Sequence, residues 1–221
     1  METHHDIPSI TCYPSPIRSL DALSNEVLED SRGAVYLLNS DGTVPSPDIE
    51  TKVRVYWNAQ FFFAVFQGRF LELRTAHSQP IDPKTGKTFS LWEHSDVYEM
   101  FIGMNTRAQR RYKEFQVGPD SRRLDIDVDS RNNEVRGDFK WLSGFRCKSL
   151  VDKSKSEWDC VMEIPWKAFG ANYETQGEWN VNFCRASGRF HGDELLSWSP
   201  MGRGAKIFHQ PGKFGRIVFQ R

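Results

Sequence analysis

Between Val53 and Arg221 the chain is a succession of short runs rich in Val, Ile, Phe, Tyr and Trp, separated by Gly, Pro, Asn and Asp. Such runs suit a pleated, half-buried surface, and the breakers between them stop each one at strand length. Nine can be named: KVRVYW, FFFAVFQG, DVYEMFIG, RYKEFQVGP, RLDIDVD, FRCKSL, WDCVMEI, EWNVNFCRAS and FGRIVFQ. In WDCVMEI, Trp158, Cys160, Met162 and Ile164 share a face, and in RLDIDVD so do Leu124, Ile126 and Val128, which puts both sets inward. Helix is scarce. DALSNEVLED has room for two turns, and PWKAFG opens with Pro165 near a helix start and closes at Gly170. The pattern predicts an all-β fold, an antiparallel, jelly-roll-like β-sandwich with few short helices.

A chain of 221 residues is within the usual size of one such sandwich. Residues 1–19, rich in Pro and polar side chains, read as an N-terminal arm, and residues 20–221 as a single domain. Asn39 to Glu50 reads as a long turn-rich loop inside it. Lys plus Arg and Asp plus Glu both number 29, so no basic field exists to draw a nucleic acid or an anionic membrane. No apolar segment approaches the roughly 20 residues that span a bilayer, and METHHDIPSI has no signal-peptide core, so the chain as written reads as cytoplasmic.

The residues that could carry chemistry form few recognisable groups. Cys12, Cys147, Cys160 and Cys184 are spread with no C-x-x-C pair. A hairpin turning near Lys153 and Ser154 would set Cys147 opposite Cys160, the one disulfide the spacing leaves open. The six His show no metal-binding spacing, and no nucleophile elbow, Walker loop or dinucleotide fingerprint is present. Glu93, Asp96 and Glu99 could supply the two carboxylates of a glycoside hydrolase, or stand at a strand start without catalytic meaning. Asp125, Asp127 and Asp129 point to one face of a strand. They form either a solvated surface or a set of oxygen ligands for calcium, although Ser130 stands where an EF-hand loop requires Gly. Trp92, in the loop before DVYEMFI, and the segment from Trp198 to His209 look like rim residues. Aromatic faces of this kind stack on the C–H patches of sugar rings, while nearby Glu, Asn or Arg meet the hydroxyls.

The order of KVRVYWNAQFFFAVFQ, LWEHSDVYEMFI, YKEFQVGP, MEIPWKAFG, WNVNFCR, WSP and FHQPGKFGRIVF, from about Lys52 to the C-terminus, resembles carbohydrate-binding module family 9 and its DOMON-like relatives. The resemblance implies a β-sandwich that holds a mono- or oligosaccharide between two aromatic side chains, with structural calcium nearby. It also implies a non-catalytic role in polysaccharide catabolism, as an accessory to a glycoside hydrolase. Trp92 matches the first aromatic, and Phe208 with His209 beside it occupies the place of the second, where binding members carry Trp. Glu99 matches a polar sugar contact, and Asn182 and Arg185 lie in a strand that contributes others. Strand parity sends Asn182 and Arg185 to opposite faces unless a bulge intervenes. Cys184 stands where an amide would serve a sugar better, and SNEVLED lacks the Trp often found there. A rival reading on the related sandwich is a haem-binding redox domain, with Met100 or Met104 and His94 or His209 as axial ligands.

Overall fold

The fold, a computed structural model, describes residues 7–20, 25–131, 134–186, 195–202 and 208–221. All nine expected runs are strands: β4 (Thr51–Trp57), β5 (Phe61–Arg69), β6 (Val97–Met104), β7 (Arg111–Val117), β8 (Arg123–Asp129), β10 (Arg146–Asp152), β11 (Glu157–Pro165), β12 (Trp179–Ala186) and β14 (Gly215–Phe219). Five more come from segments without a clear apolar alternation: β1 (Ser9–Pro14), β2 (Val35–Tyr36), β3 (Leu38–Asn39), β9 (Arg136–Asp138) and β13 (Leu195–Ser197). Part of DALSNEVLED lies outside the described residues, and its remainder forms α1 (Asn25–Glu29). PWKAFG is a single 3-10 turn, Trp166–Phe169, ended by Gly170 at φ 61°, a left-handed conformation that glycine adopts without penalty.

The strands hydrogen-bond in the order β10-β11-β5-β4-β1-β14-β12-β6-β7-β8-β9. β1 corrects the expectation of an arm at residues 1–19. Its first half, Ser9 to Cys12, pairs with β14, and its second half, Cys12 to Pro14, pairs with β4. One strand thus passes from one layer of the sandwich to the other. Both of its pairings are parallel while the others are antiparallel, so the sandwich is mixed rather than purely antiparallel.

The core lies between the layer β10-β11-β5-β4 and the layer β14-β12-β6-β7-β8. Val53, Val55, Phe62, Ala64, Phe66, Trp158, Cys160, Met162 and Ile164 face Tyr98, Met100, Ile102, Phe115, Val117, Val181 and Phe183. Tyr98 stacks between Phe66 (4.8 Å) and Trp158 (3.8 Å), and its hydroxyl donates to the Trp158 carbonyl at 3.0 Å. Each such aromatic or aliphatic side chain contributes about 1.5–3 kcal/mol by leaving water.

Both layers are also covered on their outer faces. Val27 of α1, with Ile17 and Leu20, covers Phe63, Val65 and Val161. On the opposite side Leu124, Ile126 and Val128 are buried, but in a second cluster with Val97, Phe101, Tyr112, Met201, Phe208 and Phe214, not in the central core. Period-2 alternation shows that three residues share a face; it does not say which of two apolar faces they join.

β10 and β11 do form the expected hairpin, but its loop runs from Lys153 to Ser156, with Asp152 opposite Glu157. That register sets Cys147 against Met162 and Cys160 against Ser149, and all four cysteines are free thiols.

Candidate functional site

The outer face of the second layer carries polar side chains that a sandwich core would exclude. Register aligns Cys184, Glu99, Gln116 and Leu124 in one row across β12, β6, β7 and β8, and Asn182, Phe101, Glu114 and Ile126 in the next. Two segments rim this floor. One is α2 (Leu91–His94), entered through Ser90 at φ 52°, which buries Leu91 and leaves Trp92 half-buried against the outer cluster. The other runs along residues 199–202 and 208–214 and ends in a 3-10 turn, Pro211–Lys213. On it Phe208 is buried 6.1 Å from the Phe101 ring, and His209 lies edge-on to Phe101 at 5.4 Å. Tyr112 Oη and His209 Nδ1 share a hydrogen bond of 2.9 Å.

The floor is acidic and closed to bulk water: Glu99, Glu114 and Gln116 are 4%, 3% and 2% exposed. Gln116 Nε2 donates to Glu114 Oε1 at 2.5 Å. Glu114 Oε2 and Gln116 Oε1 are buried and, among the described residues, accept no hydrogen bond. A buried acceptor without a donor forfeits its hydration with nothing in return, on the order of 1–3 kcal/mol, so two together mark a place where the fold alone does not complete the bonding. Burial, and after it the neighbouring Glu114, push the Glu99 carboxyl well above its ordinary range. Burial pushes Glu114 up to about 7 against the opposing hydrogen bond from Gln116. Burial holds His209 down to about 4, so the imidazole is neutral at pH 7 and its 3.9 Å approach to Glu114 Oε2 is not an ion pair. The Cys184 thiol is pushed up by burial, then by Glu99 and Glu114, and is no nucleophile.

Trp92, Glu99, Phe208 and His209 therefore meet on one face. Asn182 is on it too, but its amide is committed: Oδ1 accepts from Ser199 N (2.9 Å) and Phe183 N (3.0 Å), and Nδ2 donates to Ser199 O (3.0 Å). It ties the second rim segment down. Arg185 lies on the opposite face, as parity requires, where Nη1 donates to Ile49 O (3.1 Å), Thr51 Oγ1 (3.0 Å) and Arg69 O (2.6 Å). Trp198 is a core residue rather than a rim one. It packs on Phe183 at 5.7 Å and over Gly215, where a Cβ would come within 2.3 Å of the indole. Glu114, Gln116 and Tyr112 went unassigned in the sequence, although the alternation of RYKEFQV places all three on the face opposite Phe115 and Val117.

The rival chemistries lose their geometry. Of the three candidate hydrolytic carboxylates, Glu93 is half exposed beside His94 and Asp96 accepts from Arg74 N at 3.1 Å, so of these three Glu99 alone belongs to the floor. Met100 and Met104 belong to the core-facing side of β6, whereas His209 lies on the outer side and His94 is partly exposed on α2, so no pair drawn from these four brackets one iron.

The Asp125, Asp127 and Asp129 face does not fit a calcium ion, because each carboxylate already has a cation. Asp125 Oδ1 lies 3.1 Å from Lys87 Nζ and its Oδ2 accepts from Ser143 N at 2.8 Å. Lys87 is wholly buried, and its ammonium also donates to Asp125 O (2.7 Å), Phe139 O (2.9 Å) and Trp141 O. Asp127 pairs with Lys113 at 2.6 Å, and Asp129 with Arg131 at 2.5 Å and Arg111 at 3.6 Å. Among the described residues no group of three or more His, Cys, Asp or Glu is placed to hold a metal.

No protein-family model and no curated protein matches the sequence. Solved structures do. A Bacteroides uniformis protein described as carbohydrate-binding superposes with a TM-score of 0.69 at 20% identity, over 96% of this chain and 99% of that one. A family 9 carbohydrate-binding module of Caldicellulosiruptor kristjanssonii, solved with cellotriose, matches with a TM-score of 0.58 at 13% identity, over 96% and 94% of the two chains. The chain has the family 9 carbohydrate-binding module fold. A Caldicellulosiruptor kristjanssonii family 9 module solved with glucose gives 0.56 at 15% identity, over 96% of each chain. At these identities the likeness is one of architecture, and what the family 9 fold does in this chain has to be argued from its own side chains.

Proposed function

We propose that this chain is a non-catalytic carbohydrate-binding protein that holds a mono- or oligosaccharide on the outer face of β12-β6-β7, against Trp92 and beside the Phe208–His209 rim. One observation carries the reading: buried acceptors without donors, Glu114 Oε2 and Gln116 Oε1, lie on a floor rimmed by a half-buried tryptophan. Sugar hydroxyls are donors, and the apolar face of a sugar ring is what an indole stacks on. The neighbours solved with glucose and cellotriose share the fold and support the same reading. Binding of this kind serves polysaccharide catabolism when it keeps a glycoside hydrolase at its substrate. Isothermal titration of the full chain with mono- and cello-oligosaccharides, beside Trp92→Ala, tests it. Binding that weakens in the variant while circular dichroism stays unchanged supports the site, and equal binding by parent and variant overturns it.

A further inference from the structure

A neutral sugar does not account for the acidity of the floor. Elsewhere in the molecule the same kind of oxygen set is filled: the Lys87 ammonium lies among the Asp125 carboxylate and the carbonyl oxygens of Asp125, Phe139 and Trp141. The outer face repeats such a set, and among the described residues no cation fills it. It offers the carboxyls of Glu99 and Glu114, which interact across β6 and β7, the free Glu114 Oε2 and the free Gln116 Oε1. Gln116 is held in orientation by its own donation to Glu114 Oε1, so its carbonyl oxygen is the atom left for a ligand. Among the described residues the ionisable groups facing the two carboxyls are Cys184 on β12, Tyr112 on β7 and His209 on the rim, and none of these brings a positive charge at pH 7. A hydroxyl brings one donor and no charge, whereas a protonated amine brings three donors and a positive charge that favours the ionised form of both carboxyls.

Resting on the carbohydrate reading, we propose that this floor selects an aminated sugar, a hexosamine whose protonated amine enters between Glu99, Glu114 and Gln116 while its ring lies against Trp92. Acetylation of the amine removes both the charge and two of the donors, so the N-acetylated sugar is refused the same place. Entry of the cation also favours the ionised carboxylates, and the complex forms with release of protons.

The test is titration of the full chain at pH 7 with glucosamine, glucose and N-acetylglucosamine, repeated in two buffers of different ionisation enthalpy. Glucosamine is expected to bind about ten-fold or more tightly than the other two, as charge-assisted bonds replace neutral ones. Its apparent heat should depend on the buffer, and in Glu114→Gln the ratio of glucosamine to glucose affinity should fall toward one. A thermal melt checks that this near-isosteric variant is folded. Glucose binding as tightly as glucosamine, with both lost in Trp92→Ala, overturns the amine and leaves the carbohydrate reading standing. No binding of any of the three sugars, or of cello-oligosaccharides, overturns both.

Discussion

Two buried charged clusters lie on neighbouring parts of the second layer, and they are finished to different degrees. In the Lys87–Asp125 cluster the ammonium meets a carboxylate and three backbone carbonyls, and the remaining carboxylate oxygen accepts from Ser143 N. In the Glu99–Glu114 cluster two carboxyls whose ionisation burial opposes are brought together, and among the described residues two acceptor oxygens end without donors. A closed cluster of opposite charges pins loops to strands, here residues 139–143 to β8. In an open cluster the fold leaves acceptors without donors, and the proposed ligand is what would complete them. The difference teaches that burial of a charge is not by itself a sign of function; the sign is what remains unpaired.

The strongest test of the contrast is Lys87→Met, which leaves the Asp125 carboxylate and three carbonyls buried without their cation. Chemical denaturation should show a loss of about 3–5 kcal/mol, the usual cost of removing one partner of a buried pair. Stability equal to the parent would break the claim that this cluster is structural. Trp92→Ala touches the open cluster instead. Sugar affinity should drop by roughly 1–3 kcal/mol with the fold intact, and a variant that unfolds would make the indole a packing residue.

The response to pH sharpens the comparison further. Glu99 and Glu114 bind protons more tightly folded than at the unfolded value of 4.5, so their stabilisation is complete below that pH and is lost as pH rises, through about 7 for Glu114. His209 acts in the opposite sense: its pKa is lowered from 6.5 to about 4, and its stabilisation is present above 6.5 and lost as pH falls toward 4. Between 4.5 and 6.5 Glu114 and His209 oppose each other, and Glu99 leaves a net fall of stability with rising pH. Glu99→Gln should flatten that fall, by up to about 1.4 kcal/mol per pH unit. Denaturant midpoints measured across this range check it, and an unchanged slope would show that Glu99 titrates as it does in water. The smallest expected effect is that of a chelator. Because Lys87, Lys113, Arg111 and Arg131 already neutralise the Asp125, Asp127 and Asp129 face, excess chelator should leave the thermal midpoint unmoved. A lowered midpoint restored by calcium would put an ion elsewhere in the chain.

Much of the architecture was legible because strand propensity and breakers are local properties. RLDIDVD became β8 residue for residue, and FFFAVFQG and WDCVMEI gained only one or two residues at their ends. β1 escaped because SITCYP alternates weakly and becomes a strand only by pairing with β14 and β4, which are distant in sequence. In the site, parity alone separated Asn182 from Arg185. It could not show that the Asn182 amide would be taken up by Ser199, or that the Trp198 indole would lie over Gly215.

What the sequence determined by itself is the nine longer runs that became strands, the two faces of each, and the order of aromatic and polar residues that resembles family 9. All of these follow from nearest-neighbour sterics and a period of two. The tertiary structure decided which of two apolar layers each face joins, which charges find partners, and which do not. Asp125 and Glu114 look alike in the sequence, each an acidic residue in an alternating strand. Asp125 faces Lys87 and becomes part of the scaffold, while Glu114 lies beside Glu99 with one oxygen unpaired among the described residues, because the free energy of a buried charge is set by neighbours that only the folded chain brings within a few ångströms.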